Sequence, residues 1–517
     1  MSFKNVPSGT QVFGPSGEIL IYQIDYANRW IALWNSTACG QQAAQGGYAP
    51  GADLGSWGRV AEKQTWDASN PLCYSWNVSI PAGLTAGSSF FVPILKIFPD
   101  RVMSIDFNQT RVRVWSLNTS GLTKTSKTTS LLFDTSWAAP AEWLAGSNTL
   151  HYVGATDDAT NGVIAVWDKE LRKFYGFSTV DGHYLWETAG EQWQDAYGWG
   201  NVEHTWYFAY NELFSVGVGG TVYAYDLKTG QTAWTYNMTD PYNEPVTGNY
   251  WWGWISLIAD GKLYVTTVEH SANMPYPRGG PYICLNATTG EEIFRVDGMM
   301  RGTRWGGNAV MGDSIIAGMD TYDQQVWAIG KGPSAVTVTA GPKTTTIGSS
   351  VDIEGTVMDT SPGTTSDNMV LRFPNGVPAV SDASMSDWML YVYKQFSRPT
   401  NATGVEVTLS VMDANNNFRE IGKTTSDANG YYSFQWKPDV PGKYTVYSAF
   451  TGTNSYWPSY AETSFAIDTA SSTTAPTVTA ATSVATTTDL MLYIVGATIA
   501  IIIAIAIVGL LILRKHP

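Results

Sequence analysis

One strand–turn–strand stretch, repeated along the chain, limits the fold more than any total does. Val222-Tyr223-Ala224-Tyr225-Asp226-Leu227-Lys228-Thr229-Gly230-Gln231-Thr232-Ala233-Trp234 opens on a pleated run of Val, Ala and Tyr. Asp226 and Lys228-Thr229-Gly230 then supply turn chemistry, with Gly230 free to take a positive φ, and Trp234 stands in the return strand. Phe177 to Trp186 carries the same glycine, Gly182, and the same Trp four residues on. Cys284 to Phe294 repeats it around Gly290 with Phe in the Trp place. The glycines lie 48 and 60 residues apart (182 to 230, 230 to 290). That spacing fits one four-stranded propeller blade plus loop insertions.

This hairpin resembles the quinoprotein-type repeat, also called the pyrroloquinoline-quinone (PQQ)-like repeat, whose turn reads Asp-x-x-Thr-Gly-x-x-x-Trp. Asp226 to Trp234 matches in full, and the other two copies match in part. The resemblance implies that Trp186, Trp234 and Phe294 each dock a blade onto its neighbour. Tyr322 to Gly332 resembles the last strand of such a propeller. The cofactor is not implied with the fold. A quinone site in that family needs adjacent cysteines and a Ca²⁺ held by Glu and Asn. The cysteines here are Cys39, Cys73 and Cys284, none adjacent to another, and no acidic set matches the metal site. No cofactor is expected, PQQ included.

Charged residues are only 14% of the chain against 13% aromatics, which favours β-structure over solvated helices. The net charge of −14 argues against a nucleic-acid partner, which would need a basic stripe. After Gly332-Pro333 come short alternating strands, among them Ser350–Val357, Val405–Val411, Gly430–Trp436, Gly442–Phe450 and Ala461–Ile467, a pattern that suggests a β-sandwich. Its Asp-Ala-Asn-Gly-Tyr-Tyr and Pro-Gly-Lys-Tyr-Thr-Val segments resemble Ig-like modules of bacterial and archaeal surface proteins. Between Pro362 and Asn401 lies an insertion whose Met385, Trp388, Met389, Tyr391 and Tyr393 suit either a short helix or a strand.

The segment 469–489 is almost only Ser, Thr, Ala, Val and Pro, a composition that forms a stalk and no core. Leu490 to Leu513 follows with 24 residues and no charge, enough to cross a hydrocarbon layer of ~30 Å. Arg514 and Lys515 then place the C-terminus in the cytoplasm and the bulk of the chain outside. No apolar translocation segment precedes the first strand-like run. The expectation is a sequence that enters a propeller part-way, with further blades and a signal upstream.

The expected architecture is therefore all-β: a β-propeller incomplete at its N-terminus (1–332), an Ig-like β-sandwich (333–468) with an insertion at about 362–401, a stalk (469–489), one transmembrane helix (490–513) and a cytoplasmic tail (514–517). The whole resembles archaeal cell-envelope proteins.

Candidate site residues are few. Asn35, Asn77, Asn108, Asn118, Asn237, Asn286 and Asn401 head N-x-Ser/Thr sequons, the acceptor pattern for N-glycosylation. Cys39 and Cys73 could form one structural disulfide in an oxidising compartment, whereas Cys284 reads as a buried apolar residue. Trp251, Trp252 and Trp254 form the densest aromatic run. They offer flat faces for sugar rings or, alternatively, fill the space between blades. Glu203-His204 and Glu269-His270 could line the propeller channel and hold a metal, or make ordinary inter-strand hydrogen bonds. No catalytic residue is assigned. The reading is a membrane-anchored cell-surface binding or scaffolding protein with a protein or glycan ligand. The alternative is a surface enzyme, either a degenerate quinoprotein dehydrogenase or a glycan-acting hydrolase.

Overall fold

A computed structural model describes residues 2–40, 65–89, 92–93, 95–145, 148–192, 204–240, 250–269, 280–303, 309–321, 324–394, 396–469 and 487–513. The chain is nearly all β. Six antiparallel sheets follow one another along the sequence, each an up-and-down meander. Blade one is Thr10–Phe13, Ile19–Asp25, Trp30–Asn35 and Tyr74–Ser79, and blade two is Lys96–Ile97, Arg101–Asn108, Arg111–Asn118 and Leu131–Ala138. Blade three is Leu150–Ala155, Val163–Asp168, Lys173–Ser178 and Tyr184–Glu187. Blade four is Thr205–Ala209, Glu212–Val216, Thr221–Asp226 and Thr232–Asn237. Blade five is Gly253–Ala259, Lys262–Glu269, Pro281–Asn286 and Glu292–Asp297. Blade six has three strands, Val310–Gly312, Ile315–Met319 and Val326–Ile329.

The sheets stack face to face, which explains the apolar runs in their middle strands. In Val163–Asp168 every residue is buried. Ile164 and Val166 pack toward blade two, while Val163, Ala165 and Trp167 pack toward blade four. A strand covered on both faces has no reason to alternate with polar residues. The same division continues through the molecule, with one apolar cluster between each successive pair of sheets.

The repeated turn forms by local hydrogen bonding. Asp226 Oδ1 accepts from the Lys228 and Thr229 amides at 3.0 and 2.9 Å, and Gly230 N donates to Asp226 O at 2.8 Å with φ at 69°. Asn286 substitutes for the aspartate in blade five, accepting from Thr288 and Thr289 at 2.9 and 3.1 Å. The Asp260-Gly261 connection has φ of 51° and 67°, the type I′ geometry of a two-residue hairpin.

Beyond the propeller, two sheets enclose a second core. One holds Ser334–Val336, Thr339–Gly341, Val351–Asp359, Val377–Pro378 and Tyr431–Trp436. The other holds Thr344–Thr346, Glu406–Met412, Phe418–Thr425, Gly442–Phe450 and Ser459–Asp468. Both supply residues to the shared core, including Ile353, Leu409, Tyr444 and Phe465. The insertion resolves as helical, with Asp367–Arg372 and Met385–Lys394 as α-helices. Trp388 and Val392, one turn apart, are buried within the insertion, while Leu390 faces blades five and six. Tyr393 meets the Trp327 ring edge-on at 5.9 Å and Lys394 Nζ lies 4.1 Å above it.

The apolar C-terminal run is a helix over Thr487–Leu513, beginning three residues before the expected span. At 1.5 Å per residue it extends ~40 Å, and Thr487–Leu511 is not buried among the described residues. Most of the expected stalk, 470–486, and the tail, 514–517, lie outside the described residues.

Candidate functional site

The blade contacts define how the head is held together. In each of the first five sheets the fourth strand carries a β-bulge, with an aromatic residue beside it. Trp76 pairs with Leu33, Phe133 with Ser116, Trp186 with Gly176, Trp234 with Ala224 and Phe294 with Cys284, each next to the register shift. The bulge re-aims the ring out of its own sheet. The Trp186 Nε1 donates to Leu227 O at 2.7 Å and its ring covers Gly230, where a Cβ would lie 2.8 Å from it. Trp234 Nε1 donates to Ala287 O at 3.0 Å over Gly290, where a Cβ would lie 2.5 Å away. The turn glycine is thus required twice, for its φ and for the ring above it.

Phe294 shares the strand position but meets no turn glycine among the described residues; it packs with Tyr264, Trp327 and Leu390. Sequence spacing missed Trp76 and Phe133. Phe133 repeats the contact, with a Cβ on Gly182 lying 3.0 Å from its ring.

In a meander, alternate connections fall at opposite ends. By that alternation the ends of the strands at Glu187, Val216, Asn237 and Asp297 share one end of the stack. His204 is 5% exposed and packed against Trp167, with ring centroids 4.8 Å apart. Its Nε2 lies 2.5 Å from Ser215 Oγ, and Ser215 Oγ donates to Glu191 Oε1 at 2.6 Å. Tyr225 OH donates to the same carboxylate oxygen at 3.3 Å, and His204 Nε2 is 3.3 Å from Glu191 Oε2. This network assigns the Nε2 proton to His204 as a neutral donor, with the serine proton directed at Glu191. A serine so placed is not activated as a nucleophile, because the histidine does not accept from it. Burial pulls the His204 pKa down to about 3. The adjoining cavity, about 10 Å³, has room for little beyond a water. The cluster pins the 188–192 segment to blade four.

Its partner in the sequence expectation, Glu203, and also His270 lie outside the described residues, and no group of three or more metal-ligating side chains occurs among the described residues.

A second buried polar pair closes blade six. Arg301 Nε lies 3.1 and 3.0 Å from the two Asp320 oxygens, and its Nη2 is 2.8 Å from Oδ1. Nearby is a cleft of about 410 Å³ between the outer strand of blade five and the Met385–Lys394 helix. Asp240, Glu292, Asp297 and Asp387 line it with Arg295, Thr239, Ser386 and Leu390. Arg295 Nε donates to Asp297 Oδ1 at 2.7 Å and Nη1 to Thr239 O at 2.6 Å. Burial raises the Asp297 pKa against the lowering by Arg295, and Asp240 and Glu292 raise it further. The lining is thus mainly acidic, with the apolar Leu390 beside it, and Tyr236 OH donates to Glu292.

The other sequence candidates fall as follows. Trp251 is 3% exposed and belongs to the cluster between blades four and five, so it cannot present a face to a sugar. Trp252 and Trp254 are half-buried. The blade-filling alternative accounts for Trp251. Trp193 and Trp199 lie outside the described residues. Cys39 and Cys73 carry free thiols here and sit in one small cluster with Trp34 and Ala68. Burial, then the neighbouring Cys73 thiol, pushes the Cys39 pKa up to about 12. Cys284 is fully buried, and burial raises its thiol to about 11. Among the sequons, Asn77, Asn108, Asn237 and Asn401 are exposed, while Asn35, Asn118 and Asn286 are half-buried.

Residues 218–340 match the family described as outer membrane protein assembly factor BamB. The match runs from blade four through blade six into the first sandwich strands. No curated protein matches the chain in sequence. Among solved structures the chain is similar to BamB from Moraxella catarrhalis, at 13% identity over 66% of this chain and 96% of that one, with a TM-score of 0.26. It is also similar to the computationally designed Ika8 protein (12%, 62% and 70%, 0.31) and to the WD40 domain of Toxoplasma gondii coronin (10%, 66% and 67%, 0.30). With the six stacked meanders, the repeat match defines a PQQ-like β-propeller.

Proposed function

We propose that the chain is a membrane-anchored binding or scaffolding protein of the cell surface, comparable to archaeal envelope proteins. The observation that carries this reading is the pairing of BamB-like repeats with a long apolar helix that is not buried among the described residues. The helix is the anchor. Arg514 and Lys515 face the cytoplasm, and the head lies outside on the Ser/Thr stalk. Residues 1–332 are the binding head and 333–468 an Ig-like spacer. Glycans on Asn77, Asn108, Asn237 and Asn401 would be reachable by a transferase. In an oxidising exterior Cys39 and Cys73 pair; intact-mass analysis with alkylation before reduction should find one free thiol, and three would rule the bridge out.

The cleft between blade five and the 385–394 helix is the partner site, taking a lysine or arginine side chain of a surface protein. A photo-crosslinking residue at Ser386 in intact membranes should yield an adduct with a second protein, and Asp387→Lys or Glu292→Lys should remove it. An adduct yield that ignores both charge reversals would overturn this assignment of the site.

A further inference from the structure

The sandwich meets the head at two separate places. The first is the connection itself. Blade six ends at Ile329 and the sandwich begins at Ser334. Between them Gly332 N donates to Ser455 O, and Trp457 N donates to Gly332 O, both at 2.8 Å. Ser334 Oγ donates to Trp457 O at 2.7 Å, and Lys331 Nζ lies 4.7 Å from the centre of the Trp457 ring. A Cβ on Gly332 would meet Ser361 Oγ at 2.5 Å. The connection is thus fastened along its length to the 451–458 turn of the sandwich.

The second place is the insertion. It is tied to the sandwich by Val377–Pro378, which pairs with strand Val351–Asp359. Asp382 adds a grip, its carboxylate accepting from the Asn454 and Ser455 amides at 3.0 Å each. Asp382 and Gly332 therefore hold the same turn. From there the Met385–Lys394 helix reaches blades five and six, where Leu390 is 6% exposed among Tyr264, Tyr282, Val296 and Ile316. In blades three and four, the bulge tryptophan closes on the turn that leads into the next blade's fourth strand. The chain passes from the third strand of blade six straight into the sandwich, so no such turn follows there. Leu390 and Trp327 pack with Phe294 instead.

We infer that the insertion is a brace, which holds head and sandwich at one angle and closes the contact between blades five and six. Two domains joined by a single connection are free to swing, and relative motion is the default for such a pair. A second attachment, away from the first and buried in apolar contact, removes that freedom. The sandwich then supports the last two blades as well as spacing the head from the membrane. Undocking the helix loosens those blades before the others. The cleft bounded by Asp297 and Asp387 lies along the same contact, so its width follows the brace. That consequence rests on the partner-site reading above, whereas the brace itself does not.

The test uses the full chain with no partner added. Cys39, Cys73 and Cys284 are all buried. Lys228→Cys on the blade-four turn and Ser433→Cys on the sandwich, both at exposed positions, therefore take one spin label each. Double electron–electron resonance should give a single narrow distance distribution. Leu390→Asp at the blade contact and Asp382→Ala at the sandwich grip should each broaden it by about twofold or more. Asp382 is exposed, so its alanine variant leaves both cores untouched. In Leu390→Asp, hydrogen exchange should rise by about tenfold or more at the Glu292–Asp297 and Val326–Ile329 amides and stay unchanged at Val163–Asp168. A broad distribution without either substitution, a width that neither substitution changes, or exchange that rises equally in every blade would each overturn the inference.

Discussion

Trp186→Ala should open the contact between blades three and four while leaving the other contacts intact. The ring is 4% exposed and lies between Gly176 and Gly230, positions where a Cβ would come within 2.5 and 2.8 Å of it. Burying an aromatic of this size removes roughly 200 Å² of surface, worth about 5 kcal/mol at 25 cal/mol per Å². Mutational series put tryptophan truncation in cores at about 3–5 kcal/mol, and the lost Leu227 hydrogen bond lies within that range. Trp186→Phe keeps most of the ring but loses the N–H, so it should cost about 1–2 kcal/mol and leave Leu227 O unpaired. Gly230→Ala should be as damaging as Trp186→Phe or worse, since it combines the ring clash with a strained positive φ. The head need not unfold in one step, so the assay is local. Hydrogen exchange at the Leu227 to Gly230 amides should accelerate by about two orders of magnitude or more in Trp186→Ala, and exchange between blades one and two should not change. A loss under about 1 kcal/mol, or an equal acceleration everywhere, would refute the docking role.

Two further predictions concern pH. His204 has a folded pKa near 3, below the ordinary value of 6.5, so an unfolded chain binds its proton first as pH falls. Its contribution is complete above pH 6.5 and is lost progressively between 6.5 and about 3; His204→Gln should flatten the fall in melting temperature across that window. Glu212 has the opposite sign, since burial raises its folded pKa to about 7 and the native state holds the proton longer. Stability therefore declines as pH rises from about 4.5 to 7. Glu212→Gln should stabilise the head at pH 8 by at most about 1–2 kcal/mol, discounted for partial solvent screening, and leave it unchanged at pH 4. An equal gain at both pH values would remove the carboxyl from the explanation.

The parts of the fold written in local chemistry were readable from the sequence. The Asp226 and Asn286 turns hold themselves with side chains two and three residues from the amides they bind, and their glycines mark them. The aromatic at the bulge was found only where such a turn preceded it. Trp76 follows a long excursion and Phe133 a connection from Thr119 to Ser130, so neither carried the marker, although the tertiary position is the same. Strand Phe418–Thr425 was missed because Arg419, Glu420 and Lys423 break its apolar pattern at a sheet edge. The insertion stayed ambiguous because its aromatic spacing suits both periods; burial of Trp388 and Val392 on one side makes it a helix. The Glu191–Ser215–His204 network draws its members from a loop and two strands, and no sequence spacing joins them. Trp251 shows the converse. Its run suited either a glycan platform or blade filling, and its place between blades four and five selects the second.

The most direct test of the account is which side of the membrane the head occupies. Protease added to intact cells expressing the full chain should remove blades and sandwich together, leaving a short membrane-protected fragment that contains Thr487–Leu513. A head that survives until the membrane is permeabilised would place it in the cytoplasm and contradict the surface-binding function.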